Sequence, residues 1–156
     1  SVAMSKLGGD VTWLDISNNY LNIVKKKAEI HNVEINCQIG YMDDALKMYG
    51  ENSFDFIFNR ICWYYCINDE KFCEMIVNVL RTGGVAYLDI YTLDKKGLSL
   101  FRRILNKIYY YTNIKVGHLL PQHGKILNLF AEHPEITISK VSISDRNERF
   151  LVFKNY

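Results

Sequence analysis

Val11 to Ser17 reads VTWLDIS, a short apolar run that closes on one carboxylate, Asp15, with a segment of helical character directly behind it. An acid at the carboxyl end of a strand in an open parallel sheet can accept hydrogen bonds from both hydroxyls of a ribose. The same acid can instead start the next helix, since Asp, Ser and Asn all cap helices well. Trp63-Tyr64-Tyr65 is an aromatic run that can close over a bound molecule, hold a cation against its rings, or pack in a core. His118 and His123 flank Pro121 in a polar loop. An imidazole there is a candidate general base, with a surface or capping role as the alternative. Cys37, Cys62, Cys66 and Cys73 lack the paired spacing of a zinc site, and their apolar and aromatic neighbours point to reduced, buried thiols. No metal site is expected.

These residues need elements to position them. Ser1 to Leu7 reads as the tail of a helix stopped by Gly8-Gly9, and Val11 to Ile16 is a strand apolar enough to be buried on both faces. Ser17 can cap a helix over Asn18–His31, with Leu21, Val24 and Ala28 inward and Lys25, Lys26 and Lys27 solvated. Ile35–Tyr41 reads as a second strand, followed by Asp43-Asp44 and a short turn or helix to Met48. Phe54–Asn59 is a third strand, Asn68–Leu80 an amphipathic helix, Arg81 to Gly84 a turn, and Val85–Ile90 a fourth strand. Strands separated by helices in this way argue for a parallel sheet with right-handed crossovers. A helix over Leu98–Tyr111 carries three tyrosines, Tyr109 to Tyr111, that can wall a pocket or pack on the sheet. After a loop, a helix spans Lys125–His133. Ile136–Ile143 and Phe150–Lys154 alternate around a turn at Asp145 to Asn147, which is a hairpin signal.

The order of these pieces resembles that of class I methyltransferases dependent on S-adenosylmethionine. The resemblance covers nearly all of residues 1–90 and rests on GGDVTWLDIS, on SFDFIF at Ser53–Phe58, and on VLRTGGVAYLDI at Val79–Ile90, with Thr82 where the family usually has proline. It implies an α/β fold, a Rossmann-like mostly parallel sheet with helices on both faces and a C-terminal antiparallel hairpin. It implies one methyltransferase-like domain over 1–156: a cofactor-binding half at 1–92, substrate-region helices and loop at 93–134, and a closing hairpin at 135–156. The family's GxGxG loop has no counterpart, as though the chain began just after that turn.

The resemblance further implies S-adenosyl-L-methionine as cofactor, with Asp15 on the ribose hydroxyls and Ile16 against the adenine. Met42, Asp43 and Asp44 would meet the adenine edge, Asp43 ahead of Asp44. Asn59 would line the methyl-donating pocket, Trp63 and Tyr64 would touch substrate, and His118 or His123 would take a proton where the acceptor has one to lose. The implied activity is in-line methyl transfer to an unidentified small molecule. The alternatives are an NAD(P)-binding oxidoreductase, for which Tyr91 and Lys95 have the spacing of a catalytic pair, and a non-catalytic truncated relative.

A net charge of +2 gives no electrostatic ground for nucleic acid or an anionic membrane. No apolar run reaches the roughly 20 residues that span a bilayer. The absence of a secretory leader and the unpaired cysteines point to a cytoplasmic location.

Overall fold

Gly8, with φ +87°, stops the first helix where the glycine pair predicts it. The computed structural model describes residues 1–93, 100–112, 115, 117–143 and 147–156. Internal contacts divide the chain into two units, Ser1–Asp44 and Ala45–Tyr156.

In the first unit, α1 (Val2–Lys6) leads to β1 (Thr12–Asp15), α2 (Asn18–Ile30), β2 (Asn36–Ile39) and a 3-10 turn at Met42–Asp44. β1 and β2 pair in parallel, from Thr12 opposite Asn36 to Asp15 opposite Ile39. Ser17 is the cap of α2: its backbone is extended and its hydroxyl accepts from the Tyr20 N–H at 3.4 Å. Ala28 is buried, Leu21 and Val24 are half-buried, and the three lysines are exposed, as the helical spacing requires.

The second unit holds α3 (Ala45–Tyr49), β3 (Phe54–Arg60), a 3-10 turn at Trp63–Tyr65, α4 (Asp69–Val79), β4 (Leu80–Tyr91), α5 (Leu100–Thr112), α6 (Lys125–Ala131), β5 (Ile136–Ile143) and β6 (Asn147–Lys154). Its sheet runs β3-β4-β6-β5, with β3 and β4 parallel and β6 antiparallel to both neighbours. The core joins Phe72, Ile76, Leu80, Leu88, Ile90, Ile126, Phe130, Phe150 and Val152, each at most 2% exposed. Full burial of one such side chain is worth roughly 1.5–3 kcal/mol.

The fold is α/β with parallel pairs and a closing antiparallel hairpin, as expected. Where one sheet was expected, the described strands form two, one in each unit. β4 begins at Leu80 rather than Val85, because Leu80 already pairs with Phe54. Arg81 to Gly84 then bulge out before Val85 pairs with Phe56. α6 ends at Ala131 and β6 starts at Asn147, whereas Asp145 and the Leu98 start of α5 lie outside the described residues.

Gly84 is fixed by close approach. A Cβ there would stand 2.8 Å from the Arg81 carbonyl oxygen and 3.1 Å from that of Asp55. Gly84→Ala is therefore expected to cost about 1–3 kcal/mol by overpacking against backbone, read as a lower urea midpoint at unchanged m-value.

Candidate functional site

The carboxyl ends of β1 and β2 bring one set of sequence candidates together. The Gly40 N–H donates to the Asp15 carbonyl at 3.1 Å, which ties the two strand exits. Asp15 Oδ1 accepts the Ser17 N–H at 2.9 Å, so the carboxylate is held by the turn while Ser17 serves as the cap. Ile16 is 56% exposed, an apolar side chain left open beside that acid. Met42, Asp43 and Asp44 form the 3-10 turn that follows β2 at the same end of the strand pair. An acid, an open apolar surface and an acidic turn fit the ribose and adenine portion of a nucleoside ligand.

In the second unit, Asn59 is buried near the end of β3, opposite Leu88. Ile61 follows with φ +61°, an outlier for a β-branched residue, held by its N–H donating to the Asp89 carbonyl at 2.7 Å. Such strain costs about 1–3 kcal/mol and tends to cluster at functional sites.

Trp63 requires a correction, because at 1% exposure it has no surface to offer a substrate. Its ring packs edge-on against Phe72 and Phe130, and Nε1 donates to Asp69 Oδ1 at 3.0 Å. Asp69, fully buried, also accepts from the Tyr109 hydroxyl and meets Lys115 Nζ at 2.6 Å and Lys125 Nζ at 3.1 Å. Lys125 makes a charge contact rather than an aligned hydrogen bond, with its ammonium 3.8 Å from the centre of the Tyr109 ring. Burial pushes the Asp69 carboxyl up, but the Lys115 charge and the hydrogen bonds from Lys115 and Tyr109 together hold it below its ordinary value. Burial likewise raises the Tyr109 and Cys73 groups. All four cysteines are unbridged thiols, with Cys66 and Cys73 buried and Cys37 and Cys62 half-buried. Among the described residues no cluster of His, Cys, Asp or Glu could hold a metal ion.

Tyr64 stays near the surface with Tyr65 and His118. The two hydroxyls lie 3.2 Å apart, and the His118 ring stands edge-on at 4.8 Å from Tyr65 and 5.9 Å from Tyr64. The hydrogen bond to Tyr65, with burial behind it, pushes the Tyr64 phenol up to about 12.

His123 has a different setting. Its Nδ1 is 3.2 Å from Glu148 Oε1, and its Nε2 is 3.0 Å from the hydroxyl of Thr92 just past β4. Glu148 is 4% exposed and also accepts the Gly124 N–H at 2.9 Å. An ionised carboxylate can only accept, so Nδ1 carries the proton and Nε2 is left as the basic nitrogen, the hydroxyl–imidazole–carboxylate order of an acid–base relay. Sequence reasoning missed Glu148 and Thr92. The signal for Glu148 was present: it shares strand parity with Phe150 and Val152, so alternation points it inward.

Tyr91 ends β4, whereas Lys95 of the suggested oxidoreductase pair lies outside the described residues. No helix among the described residues is long and apolar enough to cross a membrane.

A profile of the family described as "Methyltransferase domain" matches residues 1–88. No curated protein sequence matches. Solved structures share the fold. Phosphoethanolamine N-methyltransferase 2 of Haemonchus contortus, solved with phosphomonomethylethanolamine and S-adenosylhomocysteine, aligns with a TM-score of 0.71 at 15% identity, over 99% of this chain and 46% of that one. YcgJ of Bacillus subtilis aligns with a TM-score of 0.69 at 12% identity, over 94% and 83%. TehB of Haemophilus influenzae aligns with a TM-score of 0.68 at 14% identity, over 99% and 53%. The chain thus spans about half the length of two of these proteins.

Proposed function

The chain belongs to the methyltransferase-domain family, and from that premise we propose that it transfers a methyl group from S-adenosyl-L-methionine to a small-molecule acceptor. The observation that carries the cofactor reading is Asp15 at the end of β1, anchored through one carboxylate oxygen, with Ile16 exposed beside it. The likeness to a structure holding S-adenosylhomocysteine supports it.

In this reading Asp15 holds the ribose hydroxyls, Ile16 lies against the adenine, and Met42, Asp43 and Asp44 meet its edge. The cofactor, when bound, supplies a sulfonium-activated methyl group open to in-line displacement. The protein's part is then to align the acceptor and take its proton, and alignment of this kind can be worth on the order of 7–11 kcal/mol. His123 is the base: Glu148 fixes its tautomer, and Nε2 receives the proton through the Thr92 hydroxyl or by displacing it. Residues 1–92 serve the cofactor, 93–134 the acceptor, and 135–156 close the sheet and supply Glu148. The nicotinamide reading has no support from the family.

Calorimetric titration with S-adenosylhomocysteine tests the cofactor assignment. The unmodified chain should bind, and Asp15→Ala should bind at least about tenfold more weakly, since one charge-assisted hydrogen-bonding group is lost. No heat at millimolar ligand would remove the catalytic reading and leave a non-catalytic relative.

A further inference from the structure

One face of α5, together with Leu93 and Gln122, lines an open cavity of about 320 Å³. Building on the methyltransferase reading, we propose that this cavity receives the methyl acceptor and that the acceptor is a small organic anion bearing a hydroxyl or amine N–H.

Arg103, Asn106, Lys107 and Tyr110 line the cavity at the i, i+3, i+4 and i+7 positions of one helical stripe. Arg103 and Lys107 place two cations side by side, and neither forms an ion pair among the described residues. Like charges at i and i+4 repel, and a bound anion relieves that repulsion while gaining charge-assisted hydrogen bonds.

Asn106 sets the second requirement. It is 7% exposed, its amide nitrogen donates to the Arg102 carbonyl at 2.8 Å, and its Oδ1 is buried with no hydrogen bond. Asn106 lines the cavity and its oxygen can only accept, so a bound group that reaches that covered oxygen must donate through O–H or N–H. A protic group is also what a methyl acceptor with a proton to lose must carry. Tyr110 is 52% exposed and adds an aromatic wall.

The cavity lies next to the proposed base. Leu93 and Gln122, two of its lining residues, are the chain neighbours of Thr92 and His123, and the Leu93 N–H donates to the Pro121 carbonyl at 2.8 Å, which locks the two segments together. The acceptor's proton leaves to His123 Nε2, and the oxygen or nitrogen it leaves behind would bond to the methyl carbon as the carbon–sulfur bond of the bound sulfonium breaks and its electron pair returns to sulfur, leaving the thioether S-adenosylhomocysteine.

Carboxylate and phosphate heads share the required chemistry, so the test carries both. The full chain, without cofactor, is titrated with para-hydroxybenzoate against neutral para-hydroxybenzamide, and with glycerol phosphate against glycerol, following backbone amide shifts by NMR. At least one anion should bind saturably with shifts at Arg103, Asn106 and Lys107, and its neutral counterpart should not. Whichever anion binds identifies the head group. The double variant Arg103→Glu with Lys107→Glu changes two exposed positions and should weaken that anion by about tenfold or more, with the melting curve retained. Equal binding of the neutral counterpart, unchanged affinity in the double variant, or no binding of either anion at millimolar concentration overturns the proposal. S-adenosylhomocysteine binding at Asp15 is a separate measurement, so failure of the methyltransferase reading shows there and failure of the anion proposal shows here.

Discussion

Asp69→Ala is expected to destabilise residues 45–156 by about 3–5 kcal/mol, which approaches the whole stability of a small domain. The carboxylate is fully buried, takes hydrogen bonds from Trp63 and Tyr109, and faces two ammonium groups. Removing it strands Lys115 and Lys125, whose side chains are 3% and 12% exposed, as uncompensated buried charges. Urea unfolding followed by tryptophan fluorescence reads the change, and a loss under about 1 kcal/mol would contradict the central role assigned to this acid. The pH dependence has a definite sign. Asp69 is held below its ordinary value in the folded state. Its contribution is therefore full above the unfolded carboxyl range, near pH 4, and falls away as pH drops through the folded value. The unmodified protein should show a stability decline on the acid side that is shallower in Asp69→Ala. Replacing Asp69, Lys115 and Lys125 together by Leu, Met and Met should recover much of the loss, because a whole buried ionic group can be exchanged for apolar packing at little net cost.

His123→Ala should lower kcat by roughly 10²–10⁴-fold with an acceptor that must lose a proton, the usual range for a general base. Glu148→Gln keeps shape and burial but can present its amide to Nδ1 as a donor, which favours the wrong tautomer. Its loss should fall largely on kcat rather than KM. His118→Ala serves as the contrast: that imidazole contacts the Tyr64 and Tyr65 rings, and its removal should leave kcat nearly unchanged. An unaltered kcat in His123→Ala would reassign the dyad to structure.

The local features of the fold were legible because local rules decide them. Ser17 and Asn68 cap the helices they precede, and the alternation in residues 136–154 forms the hairpin. The misjudged features depend on distant partners. Asp69 falls in the first turn of the helix read from Asn68, where an acid is ordinary. Its actual role is set by Tyr109, Lys115 and Lys125, 40 and more positions away in the chain. Trp63 reads as a pocket wall or, as such clusters more often are, as core. The carboxylate of Asp69 beneath its indole nitrogen decides for core, and no spacing rule shows that pairing. The tyrosines divide by helical phase: Tyr109 turns inward to Asp69, whereas Tyr110 and Tyr111 face out and border the cavity. At the candidate site, strand-end logic located Asp15, and strand parity marks Glu148 as inward. The His123 contact to Glu148 spans 25 positions and needed the fold.

The order β3-β4-β6-β5 also has a consequence for synthesis. β6, the last in chain order among the described strands, lies between β4 and β5 and hydrogen-bonds to both. Lys154 near its end reaches the Val77 and Leu80 carbonyls at 2.9 Å each. On the ribosome, β4 and β5 must therefore wait for residues 147–154 to clear the exit tunnel before either gains its inner neighbour. Until then the apolar residues of β4 have β3 as their partner strand but lack the one that completes the sheet. Nascent chains of this protein should thus remain open to chaperones until residues 147–154 have emerged. A stall a few codons short of β6 would release an incomplete four-stranded unit.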